Sequence, residues 1–327
     1  MPFKKHISII IKIIIVFFSL FFIHKQLTQN KSFNELDFTS FPNIITDNYV
    51  VLIFVVIMMF LNWFFEALKW RYMIRKIESI SIFRSLRAVF TGITISSFTP
   101  NRIGEYGGRV FCLEKGDRIQ AVFITVLCSM SQLLATIFFG SIAFFVLSDN
   151  LFLETSNLGV LNFEIPFFSF SILLFFNLVF IALYFNISLL ISVINRLDVF
   201  KKVRAYLEVL SMYSFKDLFI ALIFSVIRYS IFSIQFIILL DIFDVDIHFF
   251  DALLSVMLIF FFITITPTIT IAEIGVRGSL AIFVIGLFSS NNLGILFSTF
   301  TLWLINLIIP ALIGSLFIFS LKFFRSS

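Results

Sequence analysis

The sequence has 327 residues, of which 60% are hydrophobic and only 13% are charged, and its net charge is +5. Soluble domains are about half apolar and about a quarter charged, so this composition excludes a soluble globular fold and indicates a bundle of helices in a lipid bilayer. Nucleic-acid binding is also excluded, because no basic stripe with interleaved aromatic residues lies outside the apolar runs. The three histidines and two cysteines have no metal-ligand spacing, so we expect no metal and no cofactor.

Six apolar runs are long enough to cross a bilayer, and they cover about residues 7–23, 49–68, 119–147, 166–194, 217–240 and 294–320. The first follows Lys4 and Lys5, as in a signal peptide, but no small-residue cleavage site comes after it, so we interpret it as an uncleaved span. Two further stretches, about 88–110 and 249–288, contain Pro, Gly and charges in their middles. The fold predicted for residues 1–327 is therefore a single all-α integral membrane domain, a polytopic helix bundle of about six full spans plus two re-entrant broken helices.

The loops differ in charge, and this predicts their side of the membrane. Lys and Arg are frequent in residues 69–87 and 195–216, but they are absent from 148–165 and 241–251, where acidic residues occur. Because cytoplasmic loops carry an excess of Lys and Arg, the first two segments are predicted to be cytoplasmic and the other two external. The same rule predicts that the N- and C-termini are both cytoplasmic.

With these sides assigned, the stretch around Pro100 must enter and leave from the cytoplasm, and the stretch around Pro267 from the outside. The chain then has two halves, about 1–150 and 160–327, each with the order span, span, re-entrant segment, span, and the second half is inverted. Secondary transporters use such an inverted repeat and bring their broken helices together near the bilayer midplane. A weak sequence repeat agrees, since an Ile-Thr-Ile run precedes a Thr-Pro and an Ile-Gly in both stretches, at Ile93-Thr94-Ile95 and Ile263-Thr264-Ile265.

The first broken segment, with the sequence TPNRIGEYGGR, carries the groups expected of an anion site. Pro100 breaks the helix because it lacks a backbone donor, and Gly104 permits close backbone approach. Arg102 and Arg109 could bind a phosphate with their forked donors, and Glu105 could neutralise one of them when no ligand is bound. The alternative is a cytoplasmic loop with surface ion pairs.

The second broken segment, with the sequence TPTITIAEIGVRG, offers the same chemistry from the opposite face. Pro267 is its helix breaker, and Glu273, Gly275 and Arg277 are its candidate substrate-binding residues. Glu273 and Arg277 are four residues apart, however, and such a helical pair can satisfy itself. A purely structural pair is therefore the alternative.

Charged residues also lie within or beside the predicted spans. Arg228 falls inside the span at 217–240, where it could face a polar cavity and contact a lipid headgroup, or could be a paired or snorkelling structural residue. The span at 49–68 ends with three charged residues, Glu66, Lys69 and Arg71. We interpret them as markers of the cytoplasmic interface.

Three motifs carry a resemblance to a known family: TP-x-R-x-GE-x-x-x-R at 99–109, Thr266-Pro267 followed by Ile274-Gly275-Val276-Arg277, and Leu68-Lys69-Trp70-Arg71. Over nearly its whole length the chain resembles the lysylphosphatidylglycerol synthase transmembrane region family, the flippase-like domain also found in the multiple peptide resistance factor. The resemblance implies a multi-pass domain of the bacterial or archaeal plasma membrane, here the bacterial inner membrane, that is often described as a lipid flippase. The chain departs from the family pattern after the second proline, where Thr268-Ile269-Thr270-Ile271 replaces a glycine-rich stretch.

We therefore expect the protein to translocate a phospholipid or lipid-linked anion, whose headgroup or lipid phosphate the arginines bind. Enzymatic activity is not expected, because the sequence offers no soluble aminoacyl-transferase domain. Two alternatives stay open: a membrane-embedded transferase that uses Asp244 and Asp246 of the external loop on a lipid-linked substrate, and an accessory partner of a lipid-modifying enzyme. A homo-oligomer is left open as well.

Overall fold

The structure, a computed structural model, describes Phe17, residues 41–97, Thr99, residues 103–157, residues 166–194, Arg196, and residues 204–266 and 273–319. Within these ranges the chain is helical and forms no strand. The predicted all-α membrane bundle is therefore confirmed. The predicted first span at 7–23 lies outside the described residues, apart from Phe17.

Four helical segments of the described chain are long and apolar enough to cross a membrane. They are α2 (Tyr49–Ile74), α5 (Arg118–Asn157), α9 (Phe215–Ile242) and a final segment in which α12 (Asn292–Trp303), a π-helical turn (Leu304–Ile308) and α13 (Ile309–Ile318) follow without a break. Two further helices, α6 (Pro166–Phe185) and α7 (Ile187–Ile194), are together also long and apolar enough, but they are bent by 83° against each other, as in a broken span or a re-entrant loop. The short helices are α1 (Phe41–Asp47) and α8 (Arg204–Leu207), which continues into a 3-10 turn (Glu208–Met212).

Both segments that were predicted to be broken are helical hairpins. The first joins α3 (Ile82–Ser96) to α4 (Gly104–Val110), and the second joins α10 (Phe249–Ile265) to α11 (Glu273–Ile285). In the first hairpin a Cβ at Gly108 would lie 2.7 Å from the Cα of Gly92, so the two helices touch through their backbones. The helix breaks are thus confirmed, while the side from which each hairpin enters the membrane stays a prediction.

The hairpins pack reciprocally between the two predicted halves. Helix α13 of the second half packs on α3, where Gly314 contacts the carbonyl of Phe90, and the hydroxyl of Thr94 donates to the carbonyl of Ala311 at 2.8 Å. Helix α5 of the first half packs on α10, where Gly140 contacts the side chain of Phe261. A two-fold relation between the halves would produce such an exchange, although the division into halves stays a prediction.

Two apolar clusters hold the bundle together. One is shared by α2, α9, α10 and α12 and includes Trp63, Phe260 and Trp303. The other joins the later part of α2 to α5 and α6 and includes Trp70 and Tyr184. Along α2 the boundary between the two clusters lies between Trp63 and Trp70, and this stretch carries charged side chains.

The loop that precedes α5 is held by the carboxylate of Glu78. Its Oε2 accepts the backbone N–H groups of Glu114 at 3.1 Å, of Lys115 at 2.8 Å and of Gly116 at 2.8 Å. Arg84 lies 3.2 Å from Oε1. Burial opposes ionisation of Glu78, but the three amides and Arg84 outweigh it and lower the pKa of this carboxyl below its ordinary value.

The Glu78→Gln variant is expected to be less stable than wild type at neutral pH, by a few degrees in unfolding temperature. A depressed pKa contributes stability above the ordinary value of 4.5, and this contribution is lost as the pH falls through the folded-state pKa. Thermal unfolding of the detergent-purified protein at pH 7 and at steps below 4.5 should therefore show a difference that shrinks with acid. Glu114→Gln, which removes an exposed carboxylate, is the control, and a difference independent of pH would contradict the prediction.

Candidate functional site

A buried cluster of charges forms around Glu66, eight residues before the end of α2. Its Oε1 lies 2.7 Å from Nη1 of Arg109 on α4, and its Oε2 lies 3.0 Å from Nζ of Lys69. The guanidinium of Arg228 on α9 also pairs with Oε2. Glu66, Lys69 and Arg109 are only 3%, 1% and 1% exposed, so one carboxylate serves three cations inside the bundle.

Further partners hold Arg109 and Lys69 in place. Arg109 also pairs with Glu105, one turn earlier on α4. Besides Glu66, the ammonium of Lys69 donates to the carbonyl of Cys128 at 3.2 Å and to the hydroxyl of Ser225 at 3.1 Å. All three N–H groups of Lys69 thus have an acceptor, which is what a fully buried ammonium requires.

Arg228 has the most varied surroundings of the three cations. Its Nε donates to Oδ1 of Asn62 at 3.0 Å, and its Nη1 donates to Oε1 of Gln132 at 3.2 Å. Its guanidinium lies over the indole ring of Trp63, 5.2 Å from the centroid, which is a cation–π distance. Neutral groups therefore supply much of its environment, and Glu66 supplies its compensating charge.

The cluster has an excess of positive charge. It contains the three cations Lys69, Arg109 and Arg228 and the two carboxylates Glu66 and Glu105, which gives +1 when every group is ionised. An uncompensated charge within a membrane protein is costly and is found where it binds something. The described cluster is therefore suited to attract an anion.

A cavity of about 250 Å³ lies beside Arg228, between the two predicted halves. The first half contributes polar side chains such as Asn62 and Gln132, and the second contributes Arg228 from α9 and Arg277 from α11. Among the described residues that line the cavity there are two arginines and no carboxylate. An anionic group that entered the cavity would thus meet two guanidiniums on these walls.

Comparison with known proteins identifies the family. Residues 9–314 match the family model described as the lysylphosphatidylglycerol synthase TM region. The chain belongs to this family. The predicted resemblance is confirmed, and together with the apolar helices it makes the chain a multi-pass membrane protein. No curated protein and no solved structure matches the chain.

The structure brings together several of the candidate residues that the sequence had indicated. Arg109 and Arg228, from different helices, share Glu66, and Glu105 pairs with Arg109. Arg277 is half-buried and lines the cavity with Arg228. Arg109, Arg228 and Arg277 thus lie in one connected region between the predicted halves.

The remaining candidates have structural surroundings or lie outside the described residues. The N–H of Gly104 donates to Oγ1 of Thr99 at 2.9 Å, and a Cβ there would come within 2.6 Å of the carbonyl oxygen of Ile95, so a side chain does not fit. Gly275 is half-buried within α11. The positions that lie outside the described residues are Pro100, Arg102, Pro267 and the side chain of Glu273.

Glu66 and Lys69, which were interpreted as markers of the membrane interface, are not surface residues of the bundle. Both side chains are buried against α4, α5 and α9, and α2 continues beyond them to Ile74. Sequence reasoning also missed Asn62 and Gln132 as partners of Arg228. A signal was present, since Asn62, Glu66 and Lys69 recur at helical spacing on one face of an apolar segment, and ionisable residues within such segments are usually functional.

Asp244 and Asp246, in the loop that was predicted to be external, follow the end of α9. Asp244 has a φ of 54°, in the left-handed region that Asp and Asn adopt more readily than most residues. Its carbonyl accepts a hydrogen bond from the side-chain amide of Asn291 at 3.0 Å. In the described part of the chain no group of three His, Cys, Asp or Glu residues could hold a metal ion. The left-handed backbone conformation at position 244 therefore explains why an aspartate occurs there.

Proposed function

We propose that the protein translocates a phospholipid or another lipid-linked anion between the leaflets of the bacterial inner membrane, and that the cavity beside Arg228 receives the anionic headgroup. The observation that carries the proposal is that two arginines line the cavity and that one of them, Arg228, belongs to an ion-pair cluster with an excess of positive charge. Lining by arginine without a carboxylate among the described residues favours a phosphate over a cation. The family to which the chain belongs is consistent with this activity.

Arg228 is the residue best placed to change partners. It pairs with Glu66 on one side and lines the cavity on the other. When a phosphate takes over the guanidinium, Glu66 still has Lys69 and Arg109, so the carboxylate is not left as an unpaired buried charge. The exchange therefore couples headgroup binding to a rearrangement at the contact between α2 and α9.

The predicted inverted repeat provides the accompanying motion. Each half places its last helix on the hairpin of the other half, through Gly314 on Phe90 and through Gly140 on Phe261. Rocking of one half against the other about such contacts would open the cavity first to one side and then to the other. In this scheme the N- and C-termini are cytoplasmic.

The Arg228→Gln variant is expected to transfer anionic lipid between leaflets at least ~10-fold more slowly than wild type. A hydrogen bond to a charged group contributes about 1.5–3 kcal/mol, and about 1.4 kcal/mol corresponds to tenfold. Purified protein in vesicles with fluorescent phosphatidylglycerol is assayed by chemical quenching of the outer leaflet. Because Glu66 keeps two cationic partners, the variant should remain folded, which size-exclusion chromatography checks.

Two control variants make this experiment specific. Lys216→Gln removes an equal charge from an exposed position at the start of α9 and should transfer lipid at the wild-type rate. Asp244→Asn should also be active, because Asn is tolerated in the left-handed region. A transferase that used the external aspartates would lose activity in Asp244→Asn and keep it in Arg228→Gln. Transfer no faster than in empty vesicles would refute the proposed function.

A further inference from the structure

Lys69 is the cation of the buried cluster that can release its proton. An arginine stays protonated in proteins, whereas a buried lysine can become a neutral amine. The side chain of Lys69 is 1% exposed and belongs to α2, a helix long and apolar enough to cross the membrane. Protonation of Glu66 or Glu105 would raise the positive excess of the cluster further. Loss of the proton from Lys69 is therefore the change that brings the described cluster to neutrality.

The charged and titratable groups around Lys69 come from several helices. Those that interact electrostatically with its ammonium or with the rest of the cluster are Glu66 on α2, Glu105 and Arg109 on α4, the thiol of Cys128 on α5, and Arg228 on α9. The phenols of Tyr184 and Tyr213 lie beyond this thiol. Burial favours the neutral form of a thiol and of a phenol, so the charge of the described cluster is set by its two carboxylates and three cations.

One carboxylate oxygen is shared by Lys69 and Arg228. Oε2 of Glu66 lies 3.0 Å from Nζ of Lys69 and also pairs with the guanidinium of Arg228, while Arg109 occupies Oε1. With Arg228 in place, Glu66 has two guanidiniums, and a charge on Lys69 is not needed. When a phosphate takes over Arg228, Oε2 keeps only Lys69, which must then be an ammonium to stabilise the buried carboxylate. Departure of Arg228 and protonation of Lys69 therefore belong together.

The surroundings of Nζ also suit a neutral amine, which donates two hydrogen bonds and accepts one. The two N–H groups can go to Glu66 and to the carbonyl of Cys128, which lies 3.2 Å away. The hydroxyl of Ser225 is 3.1 Å from Nζ, and it can turn to donate to the lone pair of the amine. Its oxygen is 2.7 Å from the hydroxyl of Ser131, and either of the two can be the donor, so this pair is able to reorient.

Charge counting over the described cluster gives the same coupling. With Lys69 as a neutral amine, two arginines and two carboxylates remain, and the empty cluster has no net charge. With Lys69 as an ammonium the cluster has a charge of +1, which a phosphodiester of charge −1 cancels. In both states no uncompensated charge has to be held in a medium of low dielectric constant, where it would be costly.

Resting on the proposed function, we propose that Lys69 is a proton-binding site that couples lipid translocation to the movement of one proton. Its neutral amine takes a proton from water when the lipid phosphate binds Arg228, and the lone pair of Nζ forms the new N–H bond. The ammonium returns this proton to water on the other side of the membrane when the lipid leaves. Lipid and proton thus cross together without net movement of charge, so a pH gradient drives the lipid.

The test follows fluorescent phosphatidylglycerol in vesicles that contain the purified protein, with chemical quenching of the outer leaflet. Valinomycin and equal potassium on both sides hold the membrane potential at zero. With the interior one pH unit more alkaline than the outside, the label should accumulate in the inner leaflet up to about tenfold, because one proton per lipid then supplies about 1.4 kcal/mol. A membrane potential imposed at equal pH should cause no accumulation. Empty vesicles under the same gradients give the background.

Two variants connect the pH response to Lys69. Lys69→Met removes the amine and keeps an unbranched side chain, and it should lose the accumulation driven by the pH gradient. Lys216→Gln removes an exposed lysine at the start of α9 and should keep that accumulation. If Lys69→Met does not fold, the gradient measurement on the wild type decides by itself.

Three results would overturn the coupling and leave the proposed translocation intact. The first is transfer faster than in empty vesicles that reaches equal leaflets under the pH gradient. The second is accumulation driven by the membrane potential at equal pH, which would mean that the anion crosses without a proton. The third is an unchanged pH response in Lys69→Met. Absence of transfer under every condition would instead refute the proposed function itself.

Discussion

Replacement of Glu66 by Ala is expected to lower the free energy of unfolding by about 3–5 kcal/mol, the cost of removing one partner from a buried ion pair. The carboxylate is the shared counter-ion of Lys69, Arg109 and Arg228. Without it, Glu105 alone faces three cations, and the excess charge of the cluster rises from +1 to +2. The unfolding temperature of the purified protein and its yield as a monodisperse species both measure this effect.

A second substitution tests whether charge is the cause. Removal of one cation in the double variant Glu66→Ala with Lys69→Met should restore part of the lost stability, since the excess charge returns to +1. Glu114→Gln, which removes a half-exposed carboxylate, should change the unfolding temperature little. If the single Glu66 variant were as stable as the Glu114 variant, the buried cations would have to be compensated by groups other than Glu66, and the description of the cluster would be wrong.

Much of the fold follows from the sequence because the bilayer imposes simple rules. A long apolar run must be helical, since no water is available to satisfy its backbone, and the runs predicted near 49, 119, 166, 217 and 294 coincide with helices. Both breaks were also predictable, because Pro and Gly interrupt otherwise apolar stretches. The end of α2 was not predictable from the sequence. A hydropathy pattern stops at the first charges, whereas the helix extends through Glu66 and Lys69 to Ile74.

Individual residues of the site could be predicted from the sequence, but their spatial arrangement could not. Arg109, Arg228 and Arg277 were each recognisable as cations in apolar surroundings. Their meeting depends on Glu66, which is 43 residues from Arg109 and 162 from Arg228 in the chain. No local pattern encodes contacts at such separations, because they arise from the packing of α2 against α4 and α9.

The Gly314→Ala variant is expected to be destabilised by about 1–3 kcal/mol, the usual cost of overpacking. A Cβ at this position would overlap the carbonyl oxygen of Phe90 and the hydroxyl of Thr94, and a backbone carbonyl cannot rotate away. Helix α13 would have to move from α3, which would also weaken the hydrogen bond from Thr94 to Ala311. Unfolding followed by tryptophan fluorescence measures the change.

Gly107→Ala is the matched control, because it is also a helical glycine and a Cβ there would contact nothing within 4 Å. It should be neutral or stabilising by up to ~1 kcal/mol, the gain in helix propensity. Gly140→Ala should be destabilised like Gly314→Ala, because its Cβ would overlap the side chain of Phe261 in the reciprocal contact. Both interface variants should also slow lipid transfer more than Gly107→Ala, since the two contacts join the predicted halves. If the Gly314 and Gly107 variants behaved alike, the close packing of α13 on α3 would be refuted, and the reciprocal contact that supports a two-fold relation would be lost with it.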